Sequence, residues 1–304
     1  MPRRSIVIVI FLITQLLLVE TSVYSKDYTF DYQKIIELDQ RVNLNLTVPR
    51  GNITITGSED DRLIIEAVKR IRAGSTDEAQ DVADHIEIKV RHKGQDVIIE
   101  TNYLRFHGRE RKFWQKLLGA GSDTYGAVDY TIAVPISVNI AINGVATNVN
   151  LSSIEGEIEI DNQEGTITGE FLFGPVTVRQ PAGKISLQWI EGDIRVKTAT
   201  GRIDINQVRG ALDVTSLTGD VYIRTELDSP RDYFVHSSSG NIRFSIPEMS
   251  SGQLHIESDA GDIQTDVPIS IESVSNYKVV GEFGRGGPSI NISSSTGDVY
   301  VALY

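Results

Sequence analysis

Gly156-Glu-Ile-Glu-Ile160, Gly174-Pro-Val-Thr-Val178, Gly192-Asp-Ile-Arg-Val196, Gly201-Arg-Ile-Asp-Ile205 and Gly219-Asp-Val-Tyr-Ile223 set the reading of this chain. They belong to a run in which glycine returns at 156, 165, 174, 183, 192, 201, 210 and 219, always nine residues on. After each quoted glycine, polar and branched apolar residues alternate with period 2, the pattern of a strand buried on one face. Each unit therefore reads as one turn and one short strand. Glycine suits the turn because it reaches positive φ without the clash that a Cβ brings. A short strand cannot bury its apolar face alone, so a regular array of them predicts a stacked β-solenoid, or β-helix.

Two markers bear on the coil length. Two residues before the glycines, large aliphatics recur in every second unit, at Ile154, Leu172, Ile190 and Val208. A Ser/Thr-x-x-Gly-polar-aliphatic signature recurs as Thr198-Ala-Thr-Gly201, Ser216-Leu-Thr-Gly219, Ser237-Ser-Ser-Gly240, Ser258-Asp-Ala-Gly261 and Ser294-Ser-Thr-Gly297. Both predict a coil of about eighteen residues with two strands, the step from Gly261 to Gly297 counting as two coils. A three-faced coil of about twenty-seven residues is the alternative. The inward residues are then Ile158, Ile160, Val176, Val178, Ile185, Leu187, Ile194, Val196, Ile203, Ile205, Leu212, Val214, Val221 and Ile223. Outward, Arg195 falls over Asp213 and Arg202 over Asp220, pairs that at the surface contribute only about 0–1 kcal/mol each.

Upstream the β pattern is looser. Strands are expected at 42–48, 52–56, 63–71, 85–91, 96–102, 128–134 and 138–142, with Pro49-Arg50-Gly51 as a tight turn. Residues 76–84 read as a short helix capped by Thr76, with Asp77 and Glu78 at its positive end. Residues 103–127 break the pattern and read as a long loop. Organisation is thus expected as a signal peptide over 1–25, an N-terminal β region over 26–150 and a solenoid repeat region over 151–304. The signal peptide rests on Arg3 and Arg4, an apolar run over 6–19 shorter than the ~20 residues of a spanning helix, and Val23-Tyr24-Ser25, with cleavage after Ser25.

At this point the chain resembles the bacterial putative-adhesin family, β-strand-repeat proteins of unknown function. The resemblance is carried by Gly51-Asn-Ile-Thr-Ile55, Val128-Asp-Tyr-Thr-Ile-Ala-Val-Pro135, the nine-residue glycine units, and Gly284-Arg-Gly-Gly-Pro288 before Ser294-Ser-Thr-Gly-Asp-Val299. It extends over roughly residues 40–304 and implies an exported or membrane-associated β-solenoid. No catalytic residues come with it.

Composition narrows the chemistry. The 304 residues include no Cys, which excludes disulfides, thiolate metal sites and a cysteine nucleophile. A net charge of −12 opposes phosphate-driven nucleic-acid binding. His85, His92, His107, His236 and His255 lack ligand spacing, no G-x-S-x-G elbow is present, and single-glycine units do not match the calcium-binding nonapeptide. No metal or cofactor is expected. The outward acids Glu157, Glu159, Asp193, Asp204, Asp213 and Asp220 are scattered over both faces and no long loop interrupts the repeats to wall a cleft. The expectation is accordingly a non-catalytic cell-envelope or surface interaction module, adhesin-like, with a glycan, protein or anionic lipid as its ligand. The alternative is a carbohydrate-active β-helix enzyme, a lyase or hydrolase using carboxylates of adjacent coils. One segment reverses the acidic background: Arg111, Lys112, Phe113, Trp114 and Lys116 form a basic, aromatic cluster suited to an anionic surface.

Overall fold

The computed structural model describes residues 26–104, 126–227, 230–275 and 277–304. The signal-peptide expectation over 1–25 and the cluster Arg111, Lys112, Phe113, Trp114 and Lys116 lie outside the described residues. The described residues are all-β apart from one short helix. It begins with β1 (Lys26–Glu37), β2 (Asn43–Ser58) and β3 (Arg62–Ala73), then α1 (Thr76–Asp84), β4 (Ile86–Lys93), β5 (Asp96–Tyr103) and β6 (Ala127–Pro135). Three long strands follow, β7 (Asn139–Glu155), β8 (Ile158–Phe173) and β9 (Val176–Glu191). The strands then shorten: β10 (Ile194–Thr200), β11 (Ile203–Arg209), β12 (Leu212–Thr218), β13 (Val221–Thr225), β14 (Tyr233–Ser239), β15 (Ile242–Ile246), β16 (Gly252–Ser258) and β17 (Ile263–Thr265). A hairpin of β18 (Ser270–Ser275) and β19 (Lys278–Phe283) precedes β20 (Ser289–Ser294) and β21 (Val299–Leu303).

The repeats stack in parallel and in register. On one face Ile140, Ile158, Val176, Ile194 and Leu212 are successive partners, and on the other Val149, Ile167, Ile185, Ile203 and Val221. Each partner lies 18 residues further along the chain, as in the Arg195–Asp213 contact. Every inward residue expected from the alternation is buried, none more than 3% exposed. Fully burying such an aliphatic contributes about 1.5–3 kcal/mol, so this interior column, and not the exposed charge pairs, holds the stack together.

The glycines and their flanking residues are explained by what lies one rung below. A Cβ on Gly201 would sit 1.9 Å from the Gly183 carbonyl oxygen, one on Gly183 1.9 Å from Gly165 O, and one on Gly219 2.1 Å from Gly201 O. Positive φ is present, +128° at Gly201, but close stacking of backbone on backbone is the stronger requirement. In two units of the Ser/Thr-x-x-Gly signature the hydroxyl serves the turn: Ser258 Oγ accepts from Gly261 N and Ser294 Oγ from Gly297 N, both at 2.9 Å. The Asp or Asn after the glycine caps the adjacent rung, Asp220 Oδ1 accepting from Asn241 N, Asn241 Oδ1 from Asp298 N and Asp298 Oδ1 from Asp262 N. The hydroxyls of the signature continue a buried polar column that starts with two amides, Asn162 and Gln180, and runs on through Thr198, Ser216, Ser237, Ser294 and Ser258.

Several expectations are corrected. Pro49-Arg50-Gly51 is not a tight turn; it lies inside β2, which runs along β7 from Asn43 to Thr56, because β2 is itself a rung and its partners simply skip Pro49. The helix is capped by Ser75, whose Oγ accepts from Glu78 N at 3.2 Å, while Glu78 Oε2 accepts from Gly74 N at 2.9 Å. At its other end Lys69 Nζ donates to Ala83 O at 2.8 Å, and burial pushes that ammonium below its ordinary pKa. Arg195 pairs with Asp213 at 3.4 Å as expected, but Arg202, just before β11, pairs with Asp204 two residues on at 3.3 Å, its guanidinium lying over the Tyr222 ring.

The largest correction concerns the ends. Gly261 does not precede Gly297 by two coils. A Cβ on Gly297 would meet Gly240 O, and one on Gly261 would meet Gly297 O, so the last segment is inserted between two earlier ones. β20 lies between β14 and β16, and β21 between β15 and β17, all in parallel. β2 is similarly held between β7 on one side and β5 and β6 on the other. Both ends of the stack are thus closed by a strand threaded between neighbours formed elsewhere in the sequence.

Candidate functional site

Parallel in-register stacking turns every outward position into a column, with neighbours ~4.8 Å apart. On the face carried by β11, β13, β15, β21 and β17, one column reads Asp204, Tyr222, Arg243, Tyr300 and Gln264. Beside it run Asn206, Arg224 and Ser245. Three guanidiniums lie over phenol rings: Arg202 over Tyr222 at 4.0 Å, Arg243 over Tyr300 at 4.8 Å and Arg224 over Tyr304 at 3.7 Å. Such stacks fix two long side chains at once and hold them on the surface in a defined pose.

Two shallow grooves meet along this column. One, of about 270 Å³, is lined by Tyr222, Asn241, Arg243, Asp262, Gln264 and Tyr300. The other, of about 320 Å³, is lined by Gln188, Asp204, Asn206, Tyr222, Arg224 and Arg243. Tyr222 and Arg243 are shared by both. Of their acids, Asp204 accepts from Gln188 at 3.2 Å and pairs with Arg202, and Asp298 accepts from Asp262 N at 2.9 Å; Asp266, outside both grooves, accepts from the Tyr300 hydroxyl. That hydrogen bond holds the Tyr300 phenol above its ordinary pKa. A third groove, of about 490 Å³, lies further along the same face among Asn52, Thr54, Asn150, Ser152, Thr166 and Thr168. These surfaces offer planar amides, carboxylates, guanidiniums and ring edges to a ligand lying along the sheet.

The residues weighed for chemistry in the sequence do not converge. Glu159 pairs with Arg179 and Asp193 with Arg231, while Asp220 caps Asn241 N; these acids belong to both faces. His85 bonds Asp81 O, His92 bonds Gly94 O, His236 bonds Ser293 Oγ and His255 bonds Glu257, four separate local contacts. Among the described residues no group of three or more His, Cys, Asp or Glu is placed to hold a metal ion. No helix among them is long and apolar enough to cross a membrane. The Tyr222, Arg243 and Tyr300 column escapes a reading of the sequence because its spacing is 21 and then 57 residues, the second step depending on the threaded last segment. The outward-alternating position after each glycine-polar-aliphatic triplet was its only local signal.

A family model described as Toastrack DUF4097 matches residues 42–302. Among solved structures, a putative lipid binding protein from Parabacteroides distasonis is 11% identical, with 90% of this chain and 97% of that chain covered and a TM-score of 0.46. A putative cell adhesion protein from Clostridium sporogenes is 14% identical over 91% of this chain and 100% of that one, with a TM-score of 0.27. A putative adhesin from Bacteroides fragilis is 12% identical over 92% and 97%, with a TM-score of 0.27. No curated protein matches the chain.

Proposed function

The chain belongs to the Toastrack DUF4097 family, and we propose that it is an exported, non-catalytic interaction module of the cell envelope or surface, adhesin-like in its action. In this reading the scaffold is a solenoid of about eighteen residues and two strands per coil, supported by the 18-residue registers of β7 to β13. Export follows from the N-terminal charged-apolar-small order of residues 1–25.

The observation that carries the reading is the shared wall of Tyr222 and Arg243 between two grooves on a rigid, in-register face. Groups held this way bind without reorganising. The Asp204, Asp298 and Asp266 carboxylates are tied to a guanidinium, amides or a phenol, which makes them acceptors for a ligand in place of proton donors to one. The ligand is an envelope or surface component, and nucleic acid is disfavoured by the net charge of −12. The test is sedimentation of the purified protein with fractionated envelopes of its source cells. Retention that falls in the Tyr222→Ala, Arg243→Ala double variant supports the reading. Equal retention of both proteins, or soluble fragments released from envelope polysaccharide, refutes it, the latter in favour of a carbohydrate-active enzyme.

A further inference from the structure

The two ends of the stack are finished differently. At the N-terminal end α1 buries Ala79, Val82 and Ala83, and Lys34 Nζ of β1 donates to Val90 O of β4 at 3.2 Å, tying the last strands of the two faces together. At the C-terminal end the faces differ in length. The face of β10, β12, β14, β20 and β16 continues through β19 to β18, whereas among the described residues the face of β11, β13, β15 and β21 ends at β17. β19 and β18 therefore overhang β17 by two strands. Register makes the inner side of the overhang apolar: Ile271 is in line with Gly281 and Leu254, and Val274 with Val279 and Ile256. A bulge between Ile271 and Ser273 lets these two residues, three apart, share that side. Leu254 and Ile256 are 1% and 0% exposed, yet at the ends of the same two rows Ile271 is 58% and Val274 63% exposed. The capping chemistry stops short as well. Asp220, Asn241 and Asp298 each accept the backbone N–H of the next rung, but their equivalent beside β17, Asp262, has no such N–H to accept from among the described residues.

We propose that this end is a joint between two copies of the chain, related by a two-fold axis along the strand direction. Such an axis reverses the stack and exchanges its faces, so the overhang of each copy enters the step beyond the other's β17. Overhang and step are the same two strands, and both faces close without a gap. β18 of one copy then lies antiparallel beside β17 of the other, and Ile271, Val274 and Val279 of the two copies meet across the ~10 Å that separates packed sheets. The free edge of β18 also brings backbone N–H groups to Asp262. A single strand from a different protein would pair the edge of β17 and leave that of β18 open, whereas a second copy pairs both. Charge agrees: chains of net charge −12 repel one another except where charge is sparse, and β18 carries one charged residue, Glu272, while the opposite end presents Lys89, Arg91 and Lys93 on β4, residues that discourage edge pairing. The inference goes beyond the interaction reading and does not use Tyr222 or Arg243. Because the axis exchanges faces, the joint sets the grooves of the two copies on opposite sides of one continuous stack.

The strip is about 20 Å by 10 Å on each copy. That is smaller than a standard interface, so dissociation is expected on the order of 10–100 μM. Sedimentation equilibrium of the full chain at physiological ionic strength should show monomer and dimer and nothing larger. Ile271→Lys with Val274→Lys changes two residues that are exposed in the single chain, and should weaken association at least tenfold with the melting point kept. The contact itself is read with cysteines. Gln264 and Ser273 both lie on outward rows, Gln264 in line with Tyr300 and Ser273 with Val280 and His255. A chain with Gln264→Cys, mixed with one carrying Ser273→Cys or Ser275→Cys, should form a disulfide between the two under mild oxidation. Ser273→Cys should not bridge to itself, since its two copies fall on opposite surfaces of the joint. The proposal is overturned if the chain stays monomeric at ten times the expected dissociation constant, if it polymerises, if the lysine variant associates as well as the parent, or if Gln264→Cys forms no mixed disulfide. Ser273→Cys bridging to itself would also overturn it, in favour of β18 edges paired directly.

Discussion

Replacing Gly201 by Ala adds a single Cβ, and the stack leaves no room for it. The new atom would lie 1.9 Å from Gly183 O and 2.7 Å from its carbonyl carbon, whereas ordinary contact begins near 3.4 Å. Both obstructing atoms are backbone, so relief requires the two rungs to separate locally by more than about 1 Å at a normal spacing of ~4.8 Å. The hydrogen bond that locks these rungs beside the glycines, Ile185 N to Arg202 O at 3.0 Å, would be stretched or lost, at about 1 kcal/mol. Overpacking adds about 1–3 kcal/mol and an L residue at φ +128° about 1–2 kcal/mol more, for a total of roughly 3–6 kcal/mol. Arg202→Ala next door removes an exposed pair with Asp204 and its stack on Tyr222, for about 1 kcal/mol. Urea unfolding of the two variants, followed by far-ultraviolet circular dichroism, compares them directly. If Gly201→Ala unfolds at the same urea concentration as Arg202→Ala, the glycines are turn residues only and the stacking argument is wrong.

The buried polar column should respond unevenly. Ser216 Oγ and Ser237 Oγ are buried without a hydrogen-bond partner, so Ser216→Ala should be neutral or raise the thermal midpoint. Asn162 bonds Thr147 O, Glu164 O, Gln180 Oε1 and the Thr147 hydroxyl at 2.7–2.9 Å, so Asn162→Leu, which strands them, should cost about 3 kcal/mol by the same denaturation assay. Glu257 is held at a pKa of about 2 by hydrogen bonds from His255 and Lys278. Because its folded pKa is depressed, the stabilisation is complete above the ordinary carboxylate pKa of about 4.3 and is lost as pH falls towards 2. The group is about half exposed, so the effect should stay below about 1 kcal/mol, and Glu257→Gln should remove it from a profile of melting temperature against pH.

Alternation made the core legible, because a period of 2 in Ile158, Ile160, Ile203 and Ile205 is a local property that stacking does not alter. The eighteen-residue beat of Ile154, Leu172 and Ile190 was legible for the same reason; at the next rung Gln207 takes the place opposite Ile190, and Val208 is only half-buried. What could not be read is which rung lies beside which. Ser258-Asp-Ala-Gly261 and Ser294-Ser-Thr-Gly297 have the same turn chemistry, and that chemistry specifies a cap without naming the neighbour, so the threading of β20 and β21 was hidden. The Tyr222, Arg243 and Tyr300 column was hidden with it. Ile271 and Val274 stand in plain view in the sequence, but their exposure depends on the two-strand overhang, which no local pattern contains.

Every surface described above depends on which positions share a column, and a cysteine-free chain allows that to be measured by pairwise crosslinking. Parallel neighbours ~4.8 Å apart fall within the Cα separation of 4.4–6.8 Å that disulfides accept, where side-chain directions allow. Arg195→Cys with Asp213→Cys, in register on adjacent rungs, should oxidise readily to an intramolecular bridge. Arg195→Cys with Tyr222→Cys, the pair that coils of twenty-seven residues would bring together, should not. Bridging of the second pair and not the first, scored by mass spectrometry after mild oxidation, would contradict the eighteen-residue coil and every column built on it.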